Sequence, residues 1–358
     1  MEQVVNIYYG IPSGSQVNFE EKETSKRLVT SLSTLPCHTR DFTTDDPYPF
    51  EAVSGTPSLI HAFNLSKAGI QCQKLAEKSR LPLIVSCSGL DVYADLFNPA
   101  LKSQLQELIA TAARIIVPFP AMARFIKARL QTSTNIEIIT PGLIPLEFNF
   151  DFPRENFGFR ESDRLIVLSG GLLPAKNPIF AIHATEKLVK DYPGLKLVIF
   201  SEPYDSDYRR KVEDEASGKA WVSIIDKPES EILPFVYRMA EVFINVSHAE
   251  GYNPTLLDAM QCGCPILAAD IHGNNAYVHN EATFPDGGTG LLYFTSPGPA
   301  GYERIHDVDD FDDKLKYLLD NPNKGKEIAQ RAAIAAKKSF SMQKELYLHL
   351  QLYKTILK

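Results

Sequence analysis

The chain has 358 residues, of which 44% are hydrophobic and 23% charged, and its formal net charge is −7. This composition is that of an ordinary globular protein with room for two cores, and its acidic balance argues against a nucleic-acid-binding surface. The first fourteen residues lack the features of a signal peptide, and no stretch approaches the roughly 20 apolar residues of a membrane span, so we expect a cytoplasmic protein. The composition leaves peripheral membrane contact open. The five cysteines have no zinc-like spacing and are expected to be reduced thiols.

The order of apolar and amphipathic segments predicts a parallel α/β fold, because buried parallel strands alternate in sequence with the helices that connect them. In the first half, the apolar runs predict strands at 4–10, 57–64, 82–89, 114–118 and 136–142. Helices are predicted near 19–32, 66–78, 99–113 and 121–130. The adjacent aspartates Asp45 and Asp46 are assigned to a solvated loop over 42–48.

Residues 144–163 interrupt this alternation with two prolines and several aromatic residues, and we interpret them as an interdomain linker. A second α/β half follows. Its strands are predicted at 164–171, 195–201, 221–226, 241–247 and 265–270. The chain closes with a long amphipathic helix predicted over 340–358.

The segment that begins with Asn253 has the features of a helix start that binds an anion. Asn253 can cap a helix whose first residue is Pro254, a position that needs no N–H donor. The amides of Thr255, Leu256 and Leu257 would then point out of the helix start, beside the positive end of its dipole. Such an arrangement is suited to a phosphate.

Carboxylates flank this helix start on both sides. Glu250, followed by Gly251, precedes it on a loop, and Asp258 lies one turn inside the helix. Backbone amides suit a diphosphate, and carboxylates suit hydroxyl groups. Together they indicate a site for a sugar nucleotide.

Residues 247–268 resemble the nucleotide-sugar signature of retaining glycosyltransferases of the GT-B group, family 4, which reads S-x-x-E-G-F-G, then a second glutamate, then A-M-A-x-G-x-P-V-V-A-S. The matching residues are Ser247, Glu250, Gly251, Ala259, Met260, Gly263, Pro265 and Ala268. The resemblance implies a GT-B architecture of two Rossmann-like, doubly wound domains with a cleft between them. These would be an acceptor-side domain over 1–150, a donor-side domain over 151–339 and a crossover helix over 340–358 that packs back on the first domain.

The resemblance also implies roles for individual residues. Glu250 would lie against the donor sugar as a catalytic residue, and Asp258, in place of the second glutamate, would hold the ribose. A solvated helix carboxylate is the alternative for Asp258. Donor contacts are implied for the residues around the helix start: Gly251, Tyr252, Asn253, Thr255, Leu256 and Asp258.

The segment SGGLLPAKNP (169–178) resembles the family's G-R-L-x-x-x-K-G loop, in which an arginine and a lysine grip the donor diphosphate. Lys176 matches the lysine and would be catalytic, while the arginine position falls on Gly171. Gly170 and Gly171 would let the backbone approach the donor closely. Losing one of two cations removes stabilisation of the departing diphosphate unless another group supplies it. Arg124, Lys127, Arg209 and Arg210 are candidates.

The first half carries weaker matches to the same family. In SCSGLDVY (86–93), Ser88 replaces the histidine of H-G-x-D and Asp91 remains, so both are expected to contact the donor; a turn or helix-cap carboxylate is an equal alternative for Asp91. His61 matches the first histidine of H-A-H and is a candidate catalytic residue, with a structural histidine as the alternative. Gly14, with Gly10 and Ser13, matches a loop that closes over the donor, although a plain turn fits nearly as well.

The segment IHGNNAYV (271–278) departs from the family's G-G-x-P-E-V loop, because the expected glutamate is missing. Its G-N-x-A pattern resembles a subgroup called glycosyltransferase 1 domain-containing proteins. Cys262 and Cys264 are expected to pack a helix end rather than bind a metal.

The favoured hypothesis is therefore a retaining glycosyltransferase that moves a sugar from a nucleotide-diphospho-sugar, most simply a UDP-sugar, to an unidentified acceptor. No cofactor and no metal are expected. The alternative is a catalytically weakened relative that binds sugar nucleotides or serves as a scaffold, and a third possibility is a sugar-nucleotide epimerase on the same fold. Turnover of a donor without added acceptor would weaken the second hypothesis, and interconversion of sugar nucleotides would favour the third.

Overall fold

The computed structural model describes residues 5–11, 27–32, 37–43, 58–132, 134–146, 152–201, 206–229, 231–280, 287–299 and 301–358. The chain divides into two compact units. The first comprises Met1–Gly142 and Ser341–Lys358, and the second comprises Leu143–Phe340. The units therefore divide between residues 142 and 143, eight residues before the boundary predicted from the sequence.

The first unit is built on a six-stranded parallel sheet. Its strands are β1 (Val5–Ile11), β2 (Cys37–Thr43), β3 (Leu59–Phe63), β4 (Leu83–Ser86), β5 (Arg114–Val117) and β6 (Ile136–Ile138). They lie in the order β2-β1-β3-β4-β5-β6. All five residues of β3 are buried, as expected for a central parallel strand that is covered on both faces.

Helices of the first unit follow most of these strands. They are α1 (27–32), α2 (Ile70–Ser79), α3 (Leu90–Tyr93), α4 (Lys102–Thr111) and α5 (Pro120–Leu130), and a π-helical turn at Leu65–Gly69 precedes α2. Helix α5 begins with a proline after an extended residue, and α2 ends at Arg80 in the left-handed conformation. These local signals explain why the predicted helices and the observed ones nearly coincide.

The terminal helix, α13 (Met342–Ile356), belongs to the first unit. Its Tyr353 hydroxyl lies 2.8 Å from Nδ1 of His61 in β3. Glu345 accepts a 2.7 Å hydrogen bond from the backbone N–H of Gly142 and pairs with Arg27 at 3.0 Å. A Cβ at Gly142 would lie 2.4 Å from the backbone of Met342, so this close approach requires a glycine.

The second unit has its own six-stranded parallel sheet. Its strands are β7 (Arg164–Ser169), β8 (Leu195–Ser201), β9 (Val222–Asp226), β10 (Val242–Asn245), β11 (Ile266–Ala269) and β12 (Leu291–Tyr293). Their spatial order is β12-β11-β10-β7-β8-β9. Numbered within the unit, this is the order 3-2-1-4-5-6 of the dinucleotide-binding Rossmann fold, whose direction of winding changes between β7 and β10.

Helices and a small hairpin complete the second unit. The helices are α6 (Pro178–Leu188), α7 (Asp207–Ala216), α8 (Leu233–Met239), α9 (Pro254–Gln261), α10 (His272–Asn275), α11 (Val308–Asp320) and α12 (Pro322–Ser339). The antiparallel pair is β13 (Thr295–Pro297) and β14 (Arg304–His306). Within the described ranges, no helix combines the length and the apolar character that crossing a bilayer requires.

The interpretation of 144–163 as a linker needs correction, because its described part packs within the second unit. The ring of Phe152 lies 6.2 Å from that of Phe235, and the ring of Phe157 lies 6.2 Å from that of Phe200. Arg154 donates hydrogen bonds to the carbonyls of residues 160, 161 and 163. The aromatic residues that suggested irregular chain are thus part of this unit's packing.

The loop predicted over 42–48 also needs correction where the structure describes it. Phe42 and Thr43 are the last residues of β2, which pairs in parallel with β1. Asp45 and Asp46 lie outside the described residues.

Candidate functional site

Two loops meet at the point where the winding of the second sheet changes direction. One follows β7 and the other follows β10, and these two strands are paired neighbours. In open α/β sheets, ligands bind outside the carboxyl ends of the strands at this position. Lys176 lies on the first loop and Glu250 on the second, so the strand order brings together two residues predicted separately from the sequence.

Helix α9 begins with the cap predicted for Asn253. The Asn253 Oδ1 accepts a hydrogen bond from the backbone N–H of Leu256 at 3.1 Å, and Pro254 is the first helical residue. The backbone N–H of Leu257 donates to the Asn253 carbonyl at 3.2 Å. Of the three amides predicted to be free, those of Leu256 and Leu257 are therefore engaged by the cap. Among the described residues, the N–H of Thr255 has no partner.

Two buried polar atoms beside this helix start also have no hydrogen-bond partner among the described residues. They are the Oγ of Ser169, the last residue of β7, and the Nδ2 of Asn253. The hydroxyl of Thr255 connects the two residues, since it lies 3.3 Å from the Ser169 carbonyl and 3.0 Å from Asn253 Oδ1. Buried polar groups without partners are uncommon, and both atoms can donate to a bound acceptor.

The loop after β7 turns sharply through glycines. Gly170 and Gly171 have φ angles of 133° and 89°, and the backbone continues into a short helical turn, Pro174–Lys176. Side chains strain the backbone at such positive φ values. Strand β7 therefore ends at Ser169, before the predicted limit of 171. An arginine at position 171, where the family's loop has one, would therefore be strained by this backbone conformation.

Lys176 and Glu250 form a buried ion pair. The Lys176 Nζ lies 2.9 Å from Oε1 and 3.1 Å from Oε2 of Glu250, and both residues are 4% exposed. Oε1 also accepts hydrogen bonds from the Ser247 hydroxyl at 2.6 Å and from Asn245 Nδ2 at 3.1 Å. Oε1 thus has three donors, whereas the contact described for Oε2 is with Lys176.

A second asparagine extends this network away from Glu250. Asn274, in α10, donates from Nδ2 to Asn245 Oδ1 and to the Ala269 carbonyl, both at 2.9 Å. The preceding residue, Gly273, approaches so closely that an added Cβ would lie 2.2 Å from the Glu250 carbonyl oxygen. Asn245 and Asn274 were not predicted from the sequence. The available signal was the pair of asparagines at 274–275, at which this chain departs from the family's G-G-x-P-E-V loop.

The other donor-side residues lie along the same loop and helix. Gly251 and Tyr252 follow Glu250 directly, and the Tyr252 ring lies 6.5 Å from that of Tyr277. Asp258 is half-buried in α9, with its Oδ1 3.5 Å from Gln261 Nε2. The backbone N–H of His248 donates to the Ala175 carbonyl at 2.8 Å and so joins the two loops of the site.

In the first unit, Asp91 is a buried carboxylate that holds local backbone together. It accepts hydrogen bonds from the N–H groups of Leu65, Ser88 and Gly89 at 2.7 to 3.1 Å and from the Ser88 hydroxyl at 3.1 Å. Burial raises the pKa of Asp91, while these backbone hydrogen bonds lower it. The contacts are those of the turn and helix-cap carboxylate that the sequence left as an alternative.

His61 is fully buried and both of its ring nitrogens have partners. Nδ1 lies 2.8 Å from the Tyr353 hydroxyl, and Nε2 lies 2.8 Å from Ser86 Oγ. Burial, and then the nearby His349, lower the pKa of His61 well below its usual value. A ring with no exposed surface and both nitrogens engaged has the environment of the structural histidine that the sequence left as the alternative.

Gly14, with Ser13, lies outside the described residues. Gly10 is the penultimate residue of β1. Among the described residues, no three His, Cys, Asp or Glu side chains are grouped as metal ligands would be. Cys264 is buried and Cys262 is partly buried, and both are free thiols.

The chain is similar to known proteins at the level of family and fold. The model of the family described as glycosyl transferases group 1 matches residues 149–338. Glycosyltransferase 1 domain-containing protein 1 of Xenopus tropicalis is 26% identical over 225 residues, which are 61% of this chain and 63% of the relative. The chain therefore matches less than two thirds of that relative's length. This relative carries the name of the subgroup that the loop at 271–278 resembles.

Solved structures show the fold over nearly the whole chain. Sucrose-phosphate synthase from Thermosynechococcus elongatus aligns with a TM-score of 0.75 at 17% identity and covers 98% of each chain. HepE of Anabaena, in complex with UDP and glucose, aligns with a TM-score of 0.72 at 17% identity and covers 98% of this chain and 100% of its own. The chain thus has the GT-B fold, with two Rossmann-like domains, that the sequence predicted.

Proposed function

We propose that this chain, which belongs to the glycosyl transferases group 1 family, transfers a sugar from a nucleoside-diphospho-sugar to an acceptor hydroxyl. The observation that carries the proposal is the buried Lys176–Glu250 pair beside the start of α9, at the winding change of the second sheet. The cation and the helix start suit the diphosphate of such a donor, and the carboxylate beside them suits the hydroxyl groups of its sugar.

The diphosphate would lie at the start of α9. The Thr255 N–H, the Ser169 hydroxyl and the Asn253 amide each have a donor without a described partner there, and phosphate oxygens accept from such groups. The positive end of the helix dipole adds to this attraction. Lys176 would contribute a full positive charge once the donor competes for its ammonium group.

The sugar would lie against Glu250. Its Oε1 is saturated by Ser247, Asn245 and Lys176, which leaves Oε2 to accept a sugar hydroxyl when Lys176 turns to the diphosphate. Asp258, further along α9, would hold the ribose. UDP is the nucleotide we propose first, supported by the UDP and glucose in the structure of HepE.

We propose transfer with retention and without a metal. The bond between the anomeric carbon and the β-phosphate oxygen breaks, the acceptor oxygen bonds to the same face of that carbon, and the acceptor proton passes to the departing phosphate. Negative charge grows on the leaving diphosphate, and Lys176 with the helix start would stabilise it. Glu250 is assigned to positioning the sugar rather than to covalent attack.

Donor turnover followed by NMR tests this proposal. UDP-glucose is incubated with the protein and a panel of sugar and polyol acceptors, with and without EDTA. We expect release of UDP and an α-linked product, unaffected by EDTA, and loss of both in Glu250→Ala and Lys176→Ala. Lys324→Ala, which removes an exposed lysine paired with Glu327, is the control expected to retain activity. A β-linked product would overturn the proposed retention. Dependence on a divalent metal would overturn the proposed transfer without a metal.

A second candidate, a sugar-nucleotide-binding relative with weak transfer, is favoured by one observation. Gly171, with φ of 89°, stands where the family has its second diphosphate cation. Binding of UDP-glucose without turnover under any acceptor would support this candidate. Conversion of UDP-glucose into another sugar nucleotide would instead indicate an epimerase.

A further inference from the structure

The hydrogen-bond chain from Glu250 to α10 has only one possible direction. Asn245 Nδ2 faces the Glu250 carboxylate, which cannot donate, and Asn245 Oδ1 faces the backbone N–H of Ser247 at 3.3 Å, which cannot accept. The orientation of the Asn245 amide is therefore fixed at both ends. Because an amide oxygen can only accept, the group of Asn274 that faces Oδ1 of Asn245 is its donor, Nδ2.

Asn274 is itself fixed by its surroundings. Its Nδ2 donates to Asn245 and to the carbonyl of Ala269, the last residue of β11. Its Oδ1 is buried and has no partner among the described residues. A buried acceptor without a donor costs free energy, so packing alone does not account for an asparagine here. What the side chain provides is two donors in fixed directions.

We propose that Asn274 is a positioning residue which, acting through Asn245, holds Oε1 of Glu250 and thereby presents Oε2 to the donor sugar. This inference rests on the proposed function, since it concerns the same carboxylate. Gly273 supports it independently, because the chain beside Asn274 approaches the Glu250 carbonyl too closely for any side chain. Helix α10 thus contributes to sugar recognition without touching the sugar.

In this arrangement, different groups bind the two parts of the donor. Asn274 acts on the carboxylate that faces the sugar, whereas the diphosphate is assigned to the start of α9 and to Lys176. Losing the Asn274 amide should therefore weaken binding of the sugar moiety and leave binding of UDP itself nearly unchanged. A residue that only stabilised the fold would weaken both ligands alike.

Calorimetric titration with UDP and with UDP-glucose tests this separation on wild type, Asn274→Ala and Asn275→Ala. Asn275 is the matched control, because it is the adjacent asparagine but is exposed and bonds to Asp270. We expect Asn274→Ala to weaken UDP-glucose by about tenfold, which corresponds to 1.4 kcal/mol, and UDP by less than about twofold. Asn275→Ala should match wild type for both ligands.

A double mutant shows whether Asn274 acts through the carboxylate. In a Glu250→Ala background, Asn274→Ala should cause no further loss of UDP-glucose affinity. If Asn274→Ala does not fold, Asn274→Leu keeps a similar side-chain volume, removes the donor without adding a buried charge, and gives the same readout. Equal weakening of UDP and UDP-glucose, or full additivity with Glu250→Ala, would overturn the positioning role. Failure of the wild type to bind either ligand would instead overturn the proposed function, and the positioning role with it.

Discussion

The Nζ atom of Lys176 lies 2.9 Å from Oε1 of Glu250, although 74 residues separate the two side chains in sequence. Both are buried at the carboxyl ends of neighbouring strands, where an unpaired charge would be strongly unfavourable. Each charge therefore compensates the other in the absence of a ligand. A donor that offers a diphosphate to the lysine and hydroxyls to the carboxylate can replace both halves of the pair.

Removing the lysine should destabilise the second unit. Lys176→Ala leaves the buried Glu250 carboxylate without its counter-charge, and breaking a buried pair in this way costs about 3–5 kcal/mol. Lys324→Ala removes an exposed lysine, with 39% of its side chain accessible, and should cost less than about 1 kcal/mol. Urea unfolding measures both. Equal stability of the two variants would mean that the Lys176–Glu250 pair is hydrated in solution.

The close approach of Gly273 to Glu250 gives a prediction about a single methyl group. In Gly273→Ala the new Cβ would lie 2.2 Å from a backbone oxygen, so α10 or the Glu250 loop must move, at a cost of about 1–3 kcal/mol. Gly325→Ala, in α12, meets its nearest atom at 3.4 Å and should be neutral or stabilising. Thermal unfolding compares the two. A Gly273→Ala variant as stable as wild type would refute the described packing.

Restoring the family's arginine should not improve the site. Gly171→Arg places a side chain on a residue with φ of 89°, which costs about 1–3 kcal/mol of backbone strain. We expect lower stability and no gain in UDP affinity over wild type. Gly171→Asn, a residue that tolerates positive φ better, should be less destabilised. Tighter UDP binding by Gly171→Arg would show that the loop can adopt the family's usual backbone.

Stability of the second unit should fall in acid through a histidine pair. His306 Nδ1 lies 2.7 Å from the Tyr293 hydroxyl and His306 Nε2 lies 3.1 Å from His248 Nδ1. Burial, and then the positive charges of His248 and Arg304, lower the pKa of His306 to about 3. The unfolded chain, with a histidine pKa of about 6.5, therefore binds more protons than the folded chain in acid. The contribution of neutral His306 to stability is fully present above about pH 6.5 and is lost progressively as the pH falls below it.

Melting temperatures between pH 7.5 and 4.5 test this pH dependence. His306→Phe should be less stable at pH 7.5, because Tyr293 loses its partner, but should lose less stability on acidification than wild type. Gly325→Ala, which adds and removes no titratable group, should keep the wild-type slope. An unchanged slope in His306→Phe would exclude this residue as the source.

The parallel strands were predictable because buried strands form continuous apolar runs, as in β7 and β8. Strand β2, with sequence CHTRDFT, has no such run and was missed; it lies at the edge of its sheet. No elements were predicted over 287–339, where the structure has the short strands β12 to β14 and the helices α11 and α12. Three-residue strands carry too little pattern to be recognised.

The site was predictable residue by residue but not as an arrangement. The Asn253 cap follows from local sequence, and Lys176 and Glu250 each follow from a motif. Their pairing depends on β7 and β10 being neighbours, which is a property of strand order and not of either loop. The same holds for His61, whose partner Tyr353 lies 292 residues away in the terminal helix.

We infer that the second unit binds a nucleotide sugar through Lys176 and the start of α9. The most direct measurement is calorimetric titration of wild type and Lys176→Ala with UDP, UDP-glucose, UDP-N-acetylglucosamine and GDP-mannose, with Lys324→Ala as control and circular dichroism to confirm folding. We predict micromolar binding of at least one nucleotide sugar, weakened by about tenfold or more in Lys176→Ala and unchanged in the control. Binding of none of the four, or equally tight binding by folded Lys176→Ala, would contradict a nucleotide-sugar site at Lys176 and the start of α9.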